Sequence, residues 1–307
     1  MAAHTHLDVT GPYELGEVAM MGFGHRDEQA FDGVMRLAFC VDGDYELQVG
    51  VEVRQAGQRL DLVIHTGTDD SPLDDETVEV IARQVARVLS VDHDGEAFDR
   101  MCVADPVLAR LHALAPGFRP ALFYSPYEAA VWSIISARRV RSQGIALRTR
   151  IGQQFGATFD LAGVATEAVP TPSRLLLIDD IPGLPADRIP RLHAVARAAQ
   201  QGELSASRLV ALDPAEAMTE LQRLPGIGPF YSALIVIRAC GAVDVLPTNE
   251  TSGRDLAREL YGWERNLTEA EYEAFADRWR PFRTWAVVLM RALSPRLHSP
   301  PTGRRRH

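Results

Sequence analysis

The 307-residue chain contains no lysine. All 32 of its basic residues are arginine. Chemistry that begins at a lysine amine is therefore excluded: no Schiff base can form, and no phosphate-loop or kinase lysine is available. Genome composition alone also accounts for such usage. Cysteine is scarce: Cys40, Cys102 and Cys240 are odd in number and far apart. That pattern fits neither a disulfide framework nor a cysteine metal site. No apolar run approaches the ~18 residues that a membrane-spanning helix needs. The N-terminal MAAHTHLDVTGPY lacks the basic-then-apolar grammar of a secretory leader. The expectation is a reduced cytoplasmic setting, at the nucleoid if the source is bacterial, with no membrane partner and a monomeric chain.

The net charge is −9, unevenly spread. Residues 1–115 carry −14 and residues 116–307 carry +5. Such asymmetry between halves hints at a polyanion partner for the second half, or at a plain solvated face.

The front reads as strands. Tyr45, Leu47, Val49, Val51 and Val53 alternate with polar residues or glycine, the period of a half-buried antiparallel strand. Met35, Leu37, Phe39 and Val41 alternate before it, and Leu60, Leu62 and Ile64 follow a Gly57 turn. Val78, Ile81, Ala82, Val85, Val88 and Leu89 then recur at helical spacing, predicting one helix over about 74–91 packed on that sheet. After Pro116 the signals become helical. Ser125-Pro126-Tyr127-Glu128, Asp213-Pro214-Ala215-Glu216 and Thr268-Glu269-Ala270-Glu271 each carry a capping residue with an acid three positions on. Helices are expected near 126–138, 145–156, 172–179, 186–200, 213–222, 229–241, 252–261 and 269–293. The fold class is thus α+β: an antiparallel sheet domain with a packed helix over 1–115, an all-α body over 116–293, and a disordered basic tail over 294–307 that holds Arg304-Arg305-Arg306.

The most specific stretch is Leu224-Pro225-Gly226-Ile227-Gly228-Pro229, inside a helical hairpin of about 221–241. Two glycines one residue apart allow a tight turn and leave amides exposed at the next helix's N-terminus. Such a turn can hold a phosphate through backbone N–H groups and the helix dipole. Taken alone, the six residues fit an ordinary helix–turn–helix corner equally well.

The hairpin leads through Arg238 and Gly241 into Asp244-Val245-Leu246-Pro247-Thr248-Asn249-Glu250. Here the sequence resembles the helix-hairpin-helix–GPD superfamily of DNA glycosylases, most of all its 3-methyladenine type II, or AlkA-like, branch. Gly117-Phe118-Arg119-Pro120, Thr171-Pro172, Ile181-Pro182-Gly183-Leu184 and Arg278-Trp279-Arg280-Pro281-Phe282-Arg283 match further family motifs in the same order. The resemblance implies a two-lobed glycosylase body, double-stranded DNA as partner, and hydrolysis of a flipped, damaged (in this branch alkylated) base. The lysine-dependent strand-cutting and iron–sulfur branches are excluded by the missing lysine and by the three scattered cysteines.

The resemblance also implies residue roles. Gly226, Ile227 and Gly228 would grip DNA. The carbonyls of Gln222, Leu224 and Ile227 would hold a structural monovalent cation, with no other cofactor. Aligning Pro247 with the family proline puts Glu250 where a catalytic aspartate is expected; a register shift of one would put uncharged Asn249 there instead. Asp255, beyond the first turn of the next helix, is a poorer candidate. Where the family has a glutamine-rich turn, this chain has Arg138, Arg139 and Arg141, suited to phosphates or to a groove. Phe230, Trp132, Tyr231 and Arg291 are the candidates for the base pocket. An arginine there would repel a cationic base. The alternative reading is a glycosylase descendant that binds distorted DNA without cutting; a helical scaffold for a protein partner is a third.

Overall fold

The computed structural model describes residues 2–26, 28, 30–67, 72–246 and 251–297. Four antiparallel strands, β1 (Ala2–Asp8), β2 (Met35–Val41), β3 (Asp44–Ala56) and β4 (Arg59–Thr66), form a sheet in the order β1-β4-β3-β2. The alternation read from the sequence sets the register: Val51 pairs with Leu37 on one side and Ile64 on the other, all fully buried. The helix α1 (Leu15–Ala19) and the predicted amphipathic helix, α2 (Asp75–Val88), add further apolar residues to this core. Asp74 caps α2 by accepting from the Thr77 amide at 2.7 Å.

Several expectations need correction. The front is not only strands and one helix: α3 (Gly95–Ala104) and α4 (Pro106–His112) follow, and α4 packs on the last helix of the chain. The later part is not all-α. After α5 (Pro126–Ser136) and α6 (Arg141–Phe155) comes a hairpin, β5 (Thr158–Leu161) and β6 (Val164–Glu167). It covers the outer face of the first sheet, so β3 is buried on both faces from Val49 to Val53 rather than half-buried. Gly50 permits this approach, since a Cβ there would lie 2.7 Å from the Phe159 ring. Glu52, nearly buried, accepts from Arg54, from the Ala162 amide and from His65, and so ties hairpin to sheet.

The rest is helical: α7 (Pro172–Leu175), α8 (Ile189–Gln200), α9 (Ala206–Val210), α10 (Pro214–Leu221), α11 (Pro229–Arg238), α12 (Thr251–Tyr261), α13 (Glu269–Ala276) and α14 (Arg283–Leu297). The single helix expected over 269–293 is broken by a 3-10 turn at 277–279 and by Pro281. Residues 294–297, expected in the tail, belong instead to α14, which continues through Pro295 to Leu297. Arg304-Arg305-Arg306 lie outside the described residues.

The capping signals differ in detail. Thr268 and Glu271 form the full reciprocal box. Ser125 accepts from the Glu128 amide at 3.2 Å, but the Glu128 carboxylate turns inward instead. It accepts from the Cys40 amide at 3.2 Å and faces Arg148 at 3.7 Å, joining the helices to the sheet. Burial pushes its acid up to about 7.

Candidate nucleic-acid and base site

Asp213 starts α10 by accepting from the Ala215 amide at 2.9 Å, and the chain turns through 222–228 into α11. Gly226 has φ +93°, and a Cβ there would lie 2.8 Å from Ile134 Cδ1 in α5. Only glycine fits both the angle and the space. Ile227 is the buried anchor of the turn, 3% exposed, and its amide donates to the Leu224 carbonyl at 3.0 Å. Gly228 differs: its φ is −95° and nothing lies within 4 Å of a Cβ placed on it. Among the described residues the N–H groups of Gly226 and Gly228 donate to no acceptor. They sit at the positive end of α11, the arrangement that suits an anion.

The arginine turn lies at the end of α5, the helix against which Gly226 packs. Arg138 is exposed and has φ +57°, in the left-handed region. Arg139 and Arg141 are partly committed within the fold. Arg139 donates to the Gly183 carbonyl at 2.6 Å. Arg141 donates to the carbonyl of Gly24 at 3.2 Å and to that of Arg26. Val140 stands between them, 63% exposed. An apolar residue among three arginines is a signal readable in the sequence, though no motif assigned it a role.

A cavity of about 640 Å³ opens beside the hairpin, between α11 and α14. Phe230, Leu234 and Ile237 line it from α11, at i, i+4 and i+7. Thr284, Val288 and Arg291 line it from α14 in the same rhythm. Met21 and Phe23, from the loop after α1, close a third side. Of the four expected pocket residues, Phe230 and Arg291 meet here. Trp132 does not line this cavity: it is 8% exposed, in the core formed with α6, where a Cβ on Gly144 would touch its ring. The reason is that α5 is buried on every side, so its aromatic residue has no open face. Tyr231 also lies off the cavity, packed against the same core, with its ring edge-on to Phe230 at 5.2 Å.

Arg238, to which the sequence motifs assigned no role, also lines the cavity and is 8% exposed. Its guanidinium stacks on the Phe23 ring, 3.6 Å from the centroid, and donates to the Ala121 carbonyl at 2.5 Å. Burial, with Arg291 and Arg26 nearby, pushes its pKa down to about 9. The available signal was an arginine directly after the apolar run Ala233-Leu234-Ile235-Val236-Ile237 and before Ala239-Cys240.

Glu250 and Asn249 lie outside the described residues. The chain on either side is firmly held. Asp244 accepts from Arg280 at 2.6 Å and from Arg283 at 2.9 Å. The Thr284 hydroxyl donates to the carbonyls of Ala242 and Val245. The helix α12 begins at Thr251, and its Ser252 accepts from Arg291 at 2.7 Å, beside the cavity. Asp255 accepts from the Asn266 amide at 2.6 Å on an exposed face.

No protein-family model matches the chain. It is 28% identical over 198 residues to Escherichia coli DNA-3-methyladenine glycosylase 2, covering 62% of this chain and 67% of that protein. It is 30% identical over 210 residues to a Mycobacterium tuberculosis protein named "Probable bifunctional transcriptional activator/DNA repair enzyme AlkA", covering 66% of this chain but only 40% of that protein. The solved 3-methyladenine DNA-glycosylase from Archaeoglobus fulgidus superposes with a TM-score of 0.72 at 19% identity, over 93% of this chain and 96% of that one. The chain is thus similar in sequence to DNA-3-methyladenine glycosylases and AlkA-named proteins, and it shares the fold of a solved glycosylase. The turn that carries the sequence resemblance is 222–228, and Arg280 and Arg283 of the closing motif clamp Asp244.

Proposed function

We propose that this chain is a monofunctional DNA glycosylase of base excision repair, acting on a damaged base in double-stranded DNA. The observation that carries the reading is that the hairpin and the cavity share α11. Its first residues, Pro229 and Phe230, follow the anion-suited turn and also form the cavity wall. A duplex whose backbone rests on 226–228 would present a flipped base to that cavity. Flipping costs a few kcal/mol, least for a badly paired base. Val140 would fill the gap in the stack, and Arg138 would take a nearby phosphate.

The reaction exchanges a C1′–N bond for a C1′–O bond. Water gives its hydroxyl to the sugar and its proton to the departing base. Glu250 would face the positive charge that develops on the sugar and orient that water. The Asp244 clamp and the Ser252–Arg291 contact hold the chain on both sides of it. The carbonyls of Gln222 and Ile227 receive no backbone N–H among the described residues, while that of Leu224 receives one. This all-oxygen set fits a structural monovalent cation, whose contribution would be to stiffen the turn. Among the described residues no helix is long and apolar enough to cross a membrane.

The test is incubation with duplexes carrying single damaged purines. The expected result is free base and an abasic site that breaks only on alkali treatment, since no lysine is present to cut the strand. Intact lesions throughout, together with tight binding, would replace this reading by the non-catalytic one.

A further inference from the structure

The cavity wall carries charge of one sign. Arg238 and Arg291 both line it, and no acidic residue does so among the described residues. Arg238 is the unusual one. It lies almost wholly inside the protein, and the groups described around it are an aromatic face, a carbonyl and a methionine sulfur rather than a carboxylate. Its Nε is buried without a hydrogen-bond partner. A desolvated guanidinium without a carboxylate beside it is expensive to keep. It would gain most from a ligand that brings acceptor atoms, and lose most from one that brings a second positive charge.

We propose that the cavity selects an uncharged modified purine, whose ring-nitrogen or carbonyl acceptors face Arg238, and disfavours cationic N-alkylated bases. The proposal rests on the glycosylase reading and names the substrate class of its site. A purine offers a guanidinium acceptors at N7 and, when oxygenated, at O6, the pair that arginine reads in duplex DNA. The apolar faces of Phe230, Leu234 and Val288 would cover the flat of the ring. An N-alkylated purinium would place its charge against Arg238 in a site with little water, where like charges repel strongly. The Phe23 face is already occupied by the Arg238 guanidinium, so it cannot serve a cationic base as a π partner.

The experiment compares three duplexes, carrying hypoxanthine, ethenoadenine or 7-methylguanine. Single-turnover release of each is expressed as acceleration over its spontaneous loss. For the wild type the acceleration is expected to be at least about 100-fold larger for the better of the two uncharged bases than for 7-methylguanine. Arg238→Met is expected to narrow that ratio at least tenfold, with release of the uncharged base falling and that of 7-methylguanine holding or rising. Arg291→Met, at an exposed position, is expected to narrow it in the same direction and guards against a folding defect in the buried variant. A wild type that accelerates 7-methylguanine as well as the others overturns the proposal and leaves the glycosylase reading standing. So does a ratio that neither variant moves. Release of no base at all overturns both.

Discussion

Glu250→Gln is expected to lower single-turnover release of free base by at least about 100-fold and to leave DNA affinity unchanged. Glutamine keeps the length and the hydrogen-bonding shape but removes the charge. If that charge opposes the cation forming on the sugar, its loss acts on the transition state and not on the ground state. Loss of one well-placed electrostatic partner typically costs ~100- to 1,000-fold. Glutamate is one methylene longer than the aspartate that the family resemblance expects, so Glu250→Asp reports on reach. The Asp244 clamp and the Ser252–Arg291 contact hold the described residues before and after Glu250. Glu250→Asp is expected to fall between wild type and Glu250→Gln. Full activity in Glu250→Gln would remove Glu250 from the chemistry.

The second large effect is on binding. Gly228→Asp is expected to weaken binding to duplex DNA at least ~10-fold without changing the melting temperature. The two glycines of the hairpin differ in what they tolerate. Gly226 has no room for a side chain, and any substitution there confounds folding with binding. Gly228 has an ordinary φ and open space around a Cβ, so aspartate fits. It would set a negative charge against the unpaired amides of the turn and against any phosphate they hold. One phosphate contact carries no sequence information. The loss should therefore be equal on damaged and undamaged duplexes, and the slope of log affinity against log salt should become shallower. A melting temperature that falls with affinity would assign Gly228 to the fold instead.

The sequence was legible where one local rule decides. Alternation fixed β2, β3 and β4 within one or two residues because each strand meets the front core through one face. Caps fixed the starts of α5, α10 and α13 because a side-chain oxygen and a free amide lie within one turn. The hairpin was legible because Gly226 is demanded by backbone geometry. What stayed hidden depends on distant partners. The hairpin β5–β6 is two four-residue strands, too short for periodicity to speak, and its position depends on a glycine a hundred residues earlier. The strand β1 begins with small and polar residues whose place is set by pairing with β4. Trp132 looked like a pocket residue because its own helix gives no sign of being enclosed by three others. Arg238 was given no role because its partner Phe23 comes from the acidic front of the chain, which charge alone had set apart from the site, and Ala121 lies 117 residues before it.

The measurement closest to the central claim is a crystal structure of the protein on a duplex carrying an abasic-site analogue. The account predicts DNA backbone on the amides of 226–228, the abasic sugar at the mouth of the cavity between α11 and α14, and the Glu250 carboxylate facing that sugar. Duplex bound on another face, with the cavity turned away from the abasic site, would contradict it.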